Sequence, residues 1–297
     1  GWRHEEPFTI PPQAREAMRE AVGRGAEWER EWNGRFAAYR REFPAEASAF
    51  EREMAGTLPD GWEALLQGVP TGTEPTATRV VAGKALNSLA SGVGALIGGS
   101  ADLAPSTKTT IADSKDYGPP DYSGRNIRFG VREHSMAAIC NGLALHGGAI
   151  PYASTFLVFY DYMRPAVRLA ALMHLHLVLV FTHDSIGVGE DGPTHQPIEH
   201  ILGLRSVPGL TVLRPADGEE AVEAWRAALT NSDGPTAMVL TRQNVPALDR
   251  SGGASASELS KGAYIIWEPP RTPEVILIAT GSEVSIALEA AHRLWND

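Results

Sequence analysis

The sequence has one cysteine, few basic residues relative to acidic ones, and no long apolar run. Cys140 lies among apolar residues and cannot form a disulfide within the chain, which favours packing over nucleophilic chemistry and suits a reducing cytoplasm. The formal net charge of −10 at pH 7, without a basic stripe, argues against nucleic acid as a partner. The longest apolar run, around Leu175 to Phe181, is far shorter than the roughly 20 residues of a membrane-spanning helix, so no membrane partner is expected.

The sequence also lacks the spacings that are typical of zinc sites. His183, Asp191 and His195 share one loop, but no HExxH or CxxC string accompanies them, so hydrogen bonding to a polyhydroxylated substrate suits them better than metal ligation. The same loop contains a literal GxGxxG string. We reject a dinucleotide site there, because a proline follows the last glycine and the neighbouring acids would repel phosphate.

From Thr76 onward, helical and strand patterns alternate, which predicts a parallel α/β sheet covered by helices on both faces. Ligands of such sheets gather at the carboxyl ends of the strands. The patterns predict four segments: a helical linker at residues 1–75, an α/β domain at 76–245, a second linker at 246–262, and the start of a further α/β domain at 263–297. Strands are predicted at Ala95 to Gly99, Ile127 to Gly130, Ile150 to Ser154, Leu175 to Thr182, Leu210 to Leu213, Thr236 to Thr241 and Val275 to Ala279.

Both ends of the sequence predict a fragment of a longer protein. The chain opens on Gly1 rather than methionine, and its last helix stops at Asp297 without a capping glycine. The strand Val275 to Ala279 and the helix Val284 to Trp295 form one incomplete βα unit, for which the sequence offers no further strands.

Glu133 is the most informative single residue. It lies between a short predicted strand, Ile127 to Val131, and a predicted helix, Met136 to Leu145, that is apolar nearly all round. The helix N-terminus favours a carboxylate there, whereas the apolar surroundings remove its water, so we expect an unusual proton affinity and a candidate site. The alternative is an ordinary charged helix start.

Phe156, Phe159 and Tyr162 follow a predicted strand at spacings of three residues. They could form one wall against a flat heterocycle, or they could simply pack in the core.

Other strand ends carry polar side chains. Asp102 and Ser106 follow two glycines that allow close approach of a ligand, although such loops are usually just turns. Arg242 follows a strand and with Arg79 could clamp a phosphate, the alternative being an isolated surface arginine.

Together these strings resemble the transketolase family of thiamine-diphosphate enzymes, without a break from about Thr76 to Asn244. The related deoxyxylulose-phosphate synthase typically has an AEQH-type sequence where this chain has VREH, which favours transketolase. The opening GW…PFTIP also resembles that family's interdomain linker. The matching strings are GGSADLAPS (98–106), FGVREHSMAAICNGLALHGG (129–148), PYASTFLVFYDYMRPAVRLAALM (151–173), THDSIGVGEDGPTHQP (182–197) and TRQN (241–244).

The resemblance implies that residues 76–245 bind the pyrimidine of thiamine diphosphate. Glu133 would hydrogen-bond the aminopyrimidine ring nitrogen and promote the imino tautomer that activates the thiazolium carbon. Phe159 would stack on the pyrimidine with Phe156 and Tyr162 beside it, and Asp102 would lie near the cofactor.

The resemblance also implies sugar-phosphate substrates and the transfer of a two-carbon ketol unit from a ketose phosphate to an aldose phosphate, as in the pentose phosphate pathway or the Calvin cycle. Matching positions hold substrate phosphate at Arg79, Ser106, His183 and Arg242, read a sugar hydroxyl at Asp191, and lie beside the reacting carbons at His195.

The sequence departs from the family in one respect, because it lacks the string that binds the diphosphate. The family holds the diphosphate and Mg²⁺ or another divalent ion on an N-terminal domain with a GDG string followed by asparagine, and no such string occurs here. Family sites lie between subunits, so a homodimer and that N-terminal domain are the expected partners, and the chain alone is expected to be inactive. Two alternatives stay open: another thiamine-diphosphate ketol transferase, such as dihydroxyacetone synthase or deoxyxylulose-phosphate synthase, and a noncatalytic binding module.

Overall fold

A computed structural model describes residues 6–296 of the chain. Residues up to Arg52 form one compact unit, and residues from Glu53 onward form a second. The helices are α1 (Pro12–Glu42), α2 (Pro44–Met54), α3 (Ala64–Gln67), α4 (Thr78–Ala90), α5 (Ala104–Thr107), α6 (Glu133–His146), α7 (Tyr160–Leu172), α8 (His200–Arg205), α9 (Gly218–Thr230) and α10 (Glu283–Asn296). The strands are β1 (Leu96–Ser100), β2 (Asn126–Arg128), β3 (Ile150–Phe156), β4 (Val178–Thr182), β5 (Thr211–Leu213) and β6 (Thr236–Leu240).

The first unit is built on α1, which begins with a proline at its first position, where the missing N–H costs nothing. Its aromatic residues form a row along the helix: the rings of Trp32 and Phe36 stack with centroids 6.0 Å apart, and Phe50 packs on Phe36 at 5.6 Å. No residue of α1 is buried. The row is therefore only partly covered by the segment that follows it.

The second unit contains a six-stranded sheet in the order β2-β1-β3-β4-β6-β5, and all strand pairs are parallel. Alternate residues of β4 point to opposite faces, as the pleat requires. Val178 and Val180 belong to one core with α4 and α9, whereas Leu179 and Phe181 belong to a second core with α6 and α7. The predicted class, a parallel sheet with helices on both faces, is confirmed.

Five strand ends lie in register at the carboxyl edge of the sheet. Ser100 on β1 pairs with Arg128 on β2 and with Ser154 on β3, and Thr182 on β4 pairs with Phe156 on β3 and with Leu240 on β6. Every residue that the sequence analysis selected follows one of these ends, except Arg79 at the start of α4. The topology thus brings residues that are distant in sequence to one edge.

The predicted strand Val275 to Ala279 is wrong. This segment has no regular secondary structure and is not part of any sheet, and Ile276 and Ile278 are 81% and 90% exposed. Among the described residues no strand lies beside it to accept its backbone hydrogen bonds, and a strand without a partner is not stable in water. The helix predicted after it is present as α10.

None of the helices in the described range, residues 6–296, is both long enough and apolar enough to span a lipid bilayer.

Candidate functional site

Glu133 is the first residue of α6 and lies one turn beyond the end of β2. Its side chain is buried, with the residue only 7% exposed. Within residues 6–296, no hydrogen bond or ion pair reaches its carboxylate. A largely buried acid at a strand end, with its carboxylate open to a ligand, fits a binding role better than an ordinary helix start.

The three predicted aromatic residues lie at the end of β3 and contact both histidines of the loop after β4. Phe156 is buried and stacks on His183 with ring centroids 3.7 Å apart. Phe159 stacks on Phe156 at 5.9 Å, and Tyr162, which is largely exposed, lies 6.0 Å from Phe159. The ring of His195 meets Phe159 edge-on at 5.5 Å. These five rings form one continuous surface, which we call the ring cluster.

Two arginines form a positive group at the same edge. Arg79 donates a hydrogen bond to the backbone carbonyl of Ser106, and Arg242 pairs with Glu190 at 3.2 Å. Burial lowers the pKa of Arg79, the nearby Arg242 charge lowers it further, and Asp191 opposes both effects. Two guanidinium groups that repel each other are stabilised by an anion between them, and both match positions predicted to hold phosphate.

His183 is neutral at neutral pH. Burial, followed by the charge of Arg79, lowers the pKa of its imidazole from 6.5 to about 4. Its Nδ1 lies 2.9 Å from the hydroxyl of Thr182, and its backbone has a φ of +60°, a left-handed conformation that a residue with a side chain seldom adopts. A residue held in this way points to a constraint imposed by its neighbours.

Asp102 lies apart from this group. It is exposed, also has a positive φ of +64°, and lines a cavity of about 210 Å³ at the ends of β1 and β2, with Ser100 and Arg128 among the other lining residues. In the part of the chain that the structure describes, no hydrogen bond or ion pair joins Asp102 or Glu133 to the ring cluster. The structure therefore groups Arg79, Ser106, Phe156, Phe159, Tyr162, His183, Asp191, His195 and Arg242 by their contacts or charges, and places Asp102 and Glu133 at neighbouring strand ends.

The sequence analysis missed a buried ion pair beside the site. Arg214, directly after β5, donates to Asp184, which follows His183, at 2.6 Å and 3.0 Å. Gln243, next to Arg242, reaches the other oxygen of Asp184 at 3.5 Å. An arginine immediately after a predicted strand is the signal that also selected Arg242, and it applies equally to Arg214.

Comparison with protein families gives three matches along the chain. The model of the transketolase pyrimidine binding domain matches residues 74–247. The model of the transketolase thiamine diphosphate binding domain matches residues 1–59, and that of the transketolase-like C-terminal domain matches residues 262–297. Most of the segment that the sequence analysis interpreted as a linker thus matches the family's thiamine diphosphate binding domain.

Curated relatives match almost the whole chain. It is 49% identical over 293 residues to a transketolase of Halalkalibacterium halodurans, and 47% identical over 295 residues to one of Bacillus subtilis, in each case over 99% of this chain and 44% of the relative. The chain therefore spans less than half the length of the curated relatives it matches.

Solved structures agree with the fold. Transketolase from Leishmania mexicana superposes with a TM-score of 0.92 at 42% identity, over 99% of this chain and 43% of that one. A transketolase of Pichia stipitis in complex with sedoheptulose 7-phosphate superposes with a TM-score of 0.93 at 40% identity, over 98% and 44%. The pyrimidine binding domain model alone matches more than half of the residues of this chain, and the chain therefore belongs to the transketolase family.

Proposed function

We propose that this chain is the part of a transketolase that binds the pyrimidine of thiamine diphosphate and the sugar-phosphate substrates. The reaction is the transfer of a two-carbon ketol unit from a ketose phosphate to an aldose phosphate. The observation that carries this proposal is the position of the largely buried acid Glu133 at one strand end of the sheet, while neighbouring strand ends bear the ring cluster and Arg242, with Arg79 beside them.

The residues present fit the cofactor's pyrimidine. A glutamate side chain at the edge of the sheet can hydrogen-bond a ring nitrogen of the pyrimidine, and Glu133 is the group that we assign to this contact. Phe159 offers a partly exposed aromatic face, held by Phe156 beneath it and flanked by Tyr162, against which a flat heterocycle can stack. Asp102 is placed to approach the cofactor from the end of β1. When bound, thiamine diphosphate supplies a thiazolium carbon that becomes nucleophilic once it loses a proton.

For the substrate, we propose that Arg79, His183, Arg242 and Ser106 hold the phosphate, as the positive group and the neutral imidazole favour. Structures of the Pichia stipitis enzyme carry sedoheptulose 7-phosphate, xylulose 5-phosphate and fructose 6-phosphate, which supports sugar phosphates as the substrate class. Asp191 is then left to bind a hydroxyl group of the sugar, and we assign His195, whose ring meets Phe159 edge-on, to the neighbourhood of the reacting carbons.

We place the diphosphate and Mg²⁺ or another divalent ion on the part of the relatives that this chain does not cover. Within residues 6–296, the group of acids and histidine with the geometry to share an ion is Asp161, Glu199 and His200, and none of these is a predicted site residue. His200 is already hydrogen-bonded through Nε2 to Asp161 at 3.1 Å. The partners that we propose are the portion of the relatives' N-terminal domain that this chain does not cover and a second subunit of a homodimer, in the cytoplasm.

The proposal is tested in a chimera in which this chain replaces the matching segment of the Halalkalibacterium halodurans enzyme. Glu133→Gln keeps the size of the side chain but cannot share a carboxyl proton, so kcat for ketol transfer should fall by roughly 10²- to 10⁴-fold. Glu289→Gln, an exposed carboxylate on α10, is the matched control and should leave kcat within about two-fold of the parent.

The same chimera distinguishes the alternative functions. A noncatalytic binding module would give no ketol transfer in the parent chimera, or activity that Glu133→Gln leaves intact. Dihydroxyacetone synthase or deoxyxylulose-phosphate synthase activity would appear in the products, as dihydroxyacetone from formaldehyde in the first case and deoxyxylulose phosphate from pyruvate in the second.

A further inference from the structure

Arg214 and Asp184 form an ion pair that is almost completely withdrawn from water. The side chains are 6% and 0% exposed, and the guanidinium donates through Nε at 3.0 Å and Nη2 at 2.6 Å to the same oxygen, Oδ2. Burial raises the pKa of Asp184, and the charge of Arg214 opposes that shift. Arg214 is thus the group that favours the charged form of Asp184 in this buried position. Separating the two side chains would leave a buried charge without its partner, which is strongly unfavourable. The ion pair therefore holds Asp184 and Arg214 in one position relative to each other.

The turn before α10 closes over the same guanidinium. Nη1 of Arg214 donates to the carbonyl of Thr280 at 2.8 Å, and the carboxylate of Glu283 accepts from Nη1 and Nη2. In the reverse direction, the backbone N–H of Gly281 donates to the carbonyl of Arg214 at 3.0 Å. A Cβ on Gly281 would lie 2.6 Å from Nε of Arg214, and its φ is +60°, so only glycine fits this turn.

The ion pair is joined to the strained residue of the site. His183 precedes Asp184 directly and has the left-handed backbone described above, a strained conformation that persists only where the surrounding structure holds it in place. Its ring is stacked 3.7 Å from Phe156. On the other side, Gln243 contacts both Asp184 and Ser185 and is the neighbour of Arg242. Asp184 is therefore the sequence neighbour of one residue assigned to phosphate, His183, and contacts the sequence neighbour of another, Arg242.

We propose that Arg214 and Asp184, closed by the turn at residues 280–283, act as positioning residues that hold His183 in its left-handed conformation. The turn then sets the affinity of the neighbouring site for a phosphate group, although none of its residues contacts that group. The identity of the ligand rests on the proposed function, whereas the holding of His183 does not.

The test follows the ring of His183 by NMR in the 297-residue chain, with His183→Gln used for assignment. In the parent, the imidazole should titrate near pH 4. Arg214→Met keeps the length of the side chain but frees Asp184, so His183 should regain water and its titration midpoint should rise by about one unit. The dissociation constant of inorganic phosphate should increase by roughly five-fold or more. Arg226→Met is the control, because Arg226 pairs with Glu223 on α9 and should change neither quantity.

Gly281→Ala provides a second variant that leaves both charges in place and disturbs only the turn. Gly281→Ala should shift the titration midpoint of His183 in the same direction by a smaller amount. If Arg214→Met does not fold, this variant alone tests the positioning role. A folded Arg214→Met or Gly281→Ala chain with the parent's His183 titration overturns the positioning role. A parent chain that fails to bind phosphate contradicts the proposed substrate site instead, and leaves the titration result to decide the positioning role separately.

Discussion

His183 illustrates how burial decides the charge of a side chain at the carboxyl edge of the sheet. Its pKa is about 4 in the folded chain and 6.5 when burial is absent, so between these values the unfolded chain binds a proton that the folded chain does not. The contribution of the neutral His183 side chain to stability is therefore fully present above pH 6.5, and it is lost as the pH falls toward 4.

This gives a prediction for pH-dependent stability. Urea unfolding measured from pH 7 to pH 4 should show a falling midpoint for the parent, and His183→Gln should remove part of that fall because glutamine does not titrate. Carboxylates also titrate in this range, so the informative quantity is the difference between the two chains. Parallel curves for the two chains would contradict the assignment.

Single residues also show what the sequence could and could not specify. The burial of Glu133 follows from the apolar segments on either side of it, which are visible in the sequence, and the structure confirms it. The burial of Arg214 depends on Thr280 and Glu283, about seventy positions further along the chain. No local sequence pattern indicates partners this far along the chain. The sequence therefore offers only one sign of the role of Arg214, its position directly after a predicted strand.

Among the elements, α9 is stabilised both by a cap at its N-terminus and by packing of one face against α4. Asp217 caps its first turn by accepting a hydrogen bond from the N–H of Glu220 at 3.0 Å, and Trp225 is fully buried with its indole N–H donating to the carbonyl of Ala82 on α4 at 2.9 Å. The helix begins at Gly218, directly after this cap, and its buried residues repeat at helical spacing along one face, so cap and apolar periodicity agree. The strand predicted at Val275 to Ala279 failed because a strand, unlike a helix, needs a neighbour for its hydrogen bonds.

Trp225→Ala should destabilise the second unit by about 3–5 kcal/mol, because it leaves a large cavity between α4 and α9 and removes the hydrogen bond from the indole N–H to the carbonyl of Ala82. Chemical denaturation followed by circular dichroism measures the change. Trp28→Ala on α1 is the matched control, since Trp28 is 67% exposed, and should alter the free energy of unfolding by no more than about 0.5 kcal/mol. Equal effects of the two substitutions would mean that the α4–α9 contact is not a principal source of stability.

Across the whole molecule, the sheet order explains why a chain with a net charge of −10 can present a positive site. The order β2-β1-β3-β4-β6 places Glu133, the ring cluster and Arg242 at successive strand ends, and α4 adds Arg79 from one face. Most acidic residues lie elsewhere in the chain, whereas at this edge Glu190 and Asp191 face two partly buried arginines. The net charge argues against a nucleic-acid partner, while the local placement of the two arginines supports the proposed phosphate site.

The last prediction concerns the chain as a unit. The described residues include the proposed pyrimidine surface and the proposed phosphate site, but at the strand ends they provide no group of three acids or histidines to share a divalent ion. The purified chain with thiamine diphosphate and Mg²⁺ should therefore show no ketol transfer above background, whereas the Halalkalibacterium halodurans chimera should turn over under the same conditions. A coupled assay of aldose phosphate release measures both. Turnover by the isolated chain that disappears on chelation of the metal would show that these residues hold the ion themselves, and would contradict the division of the site between this chain and the rest of the enzyme.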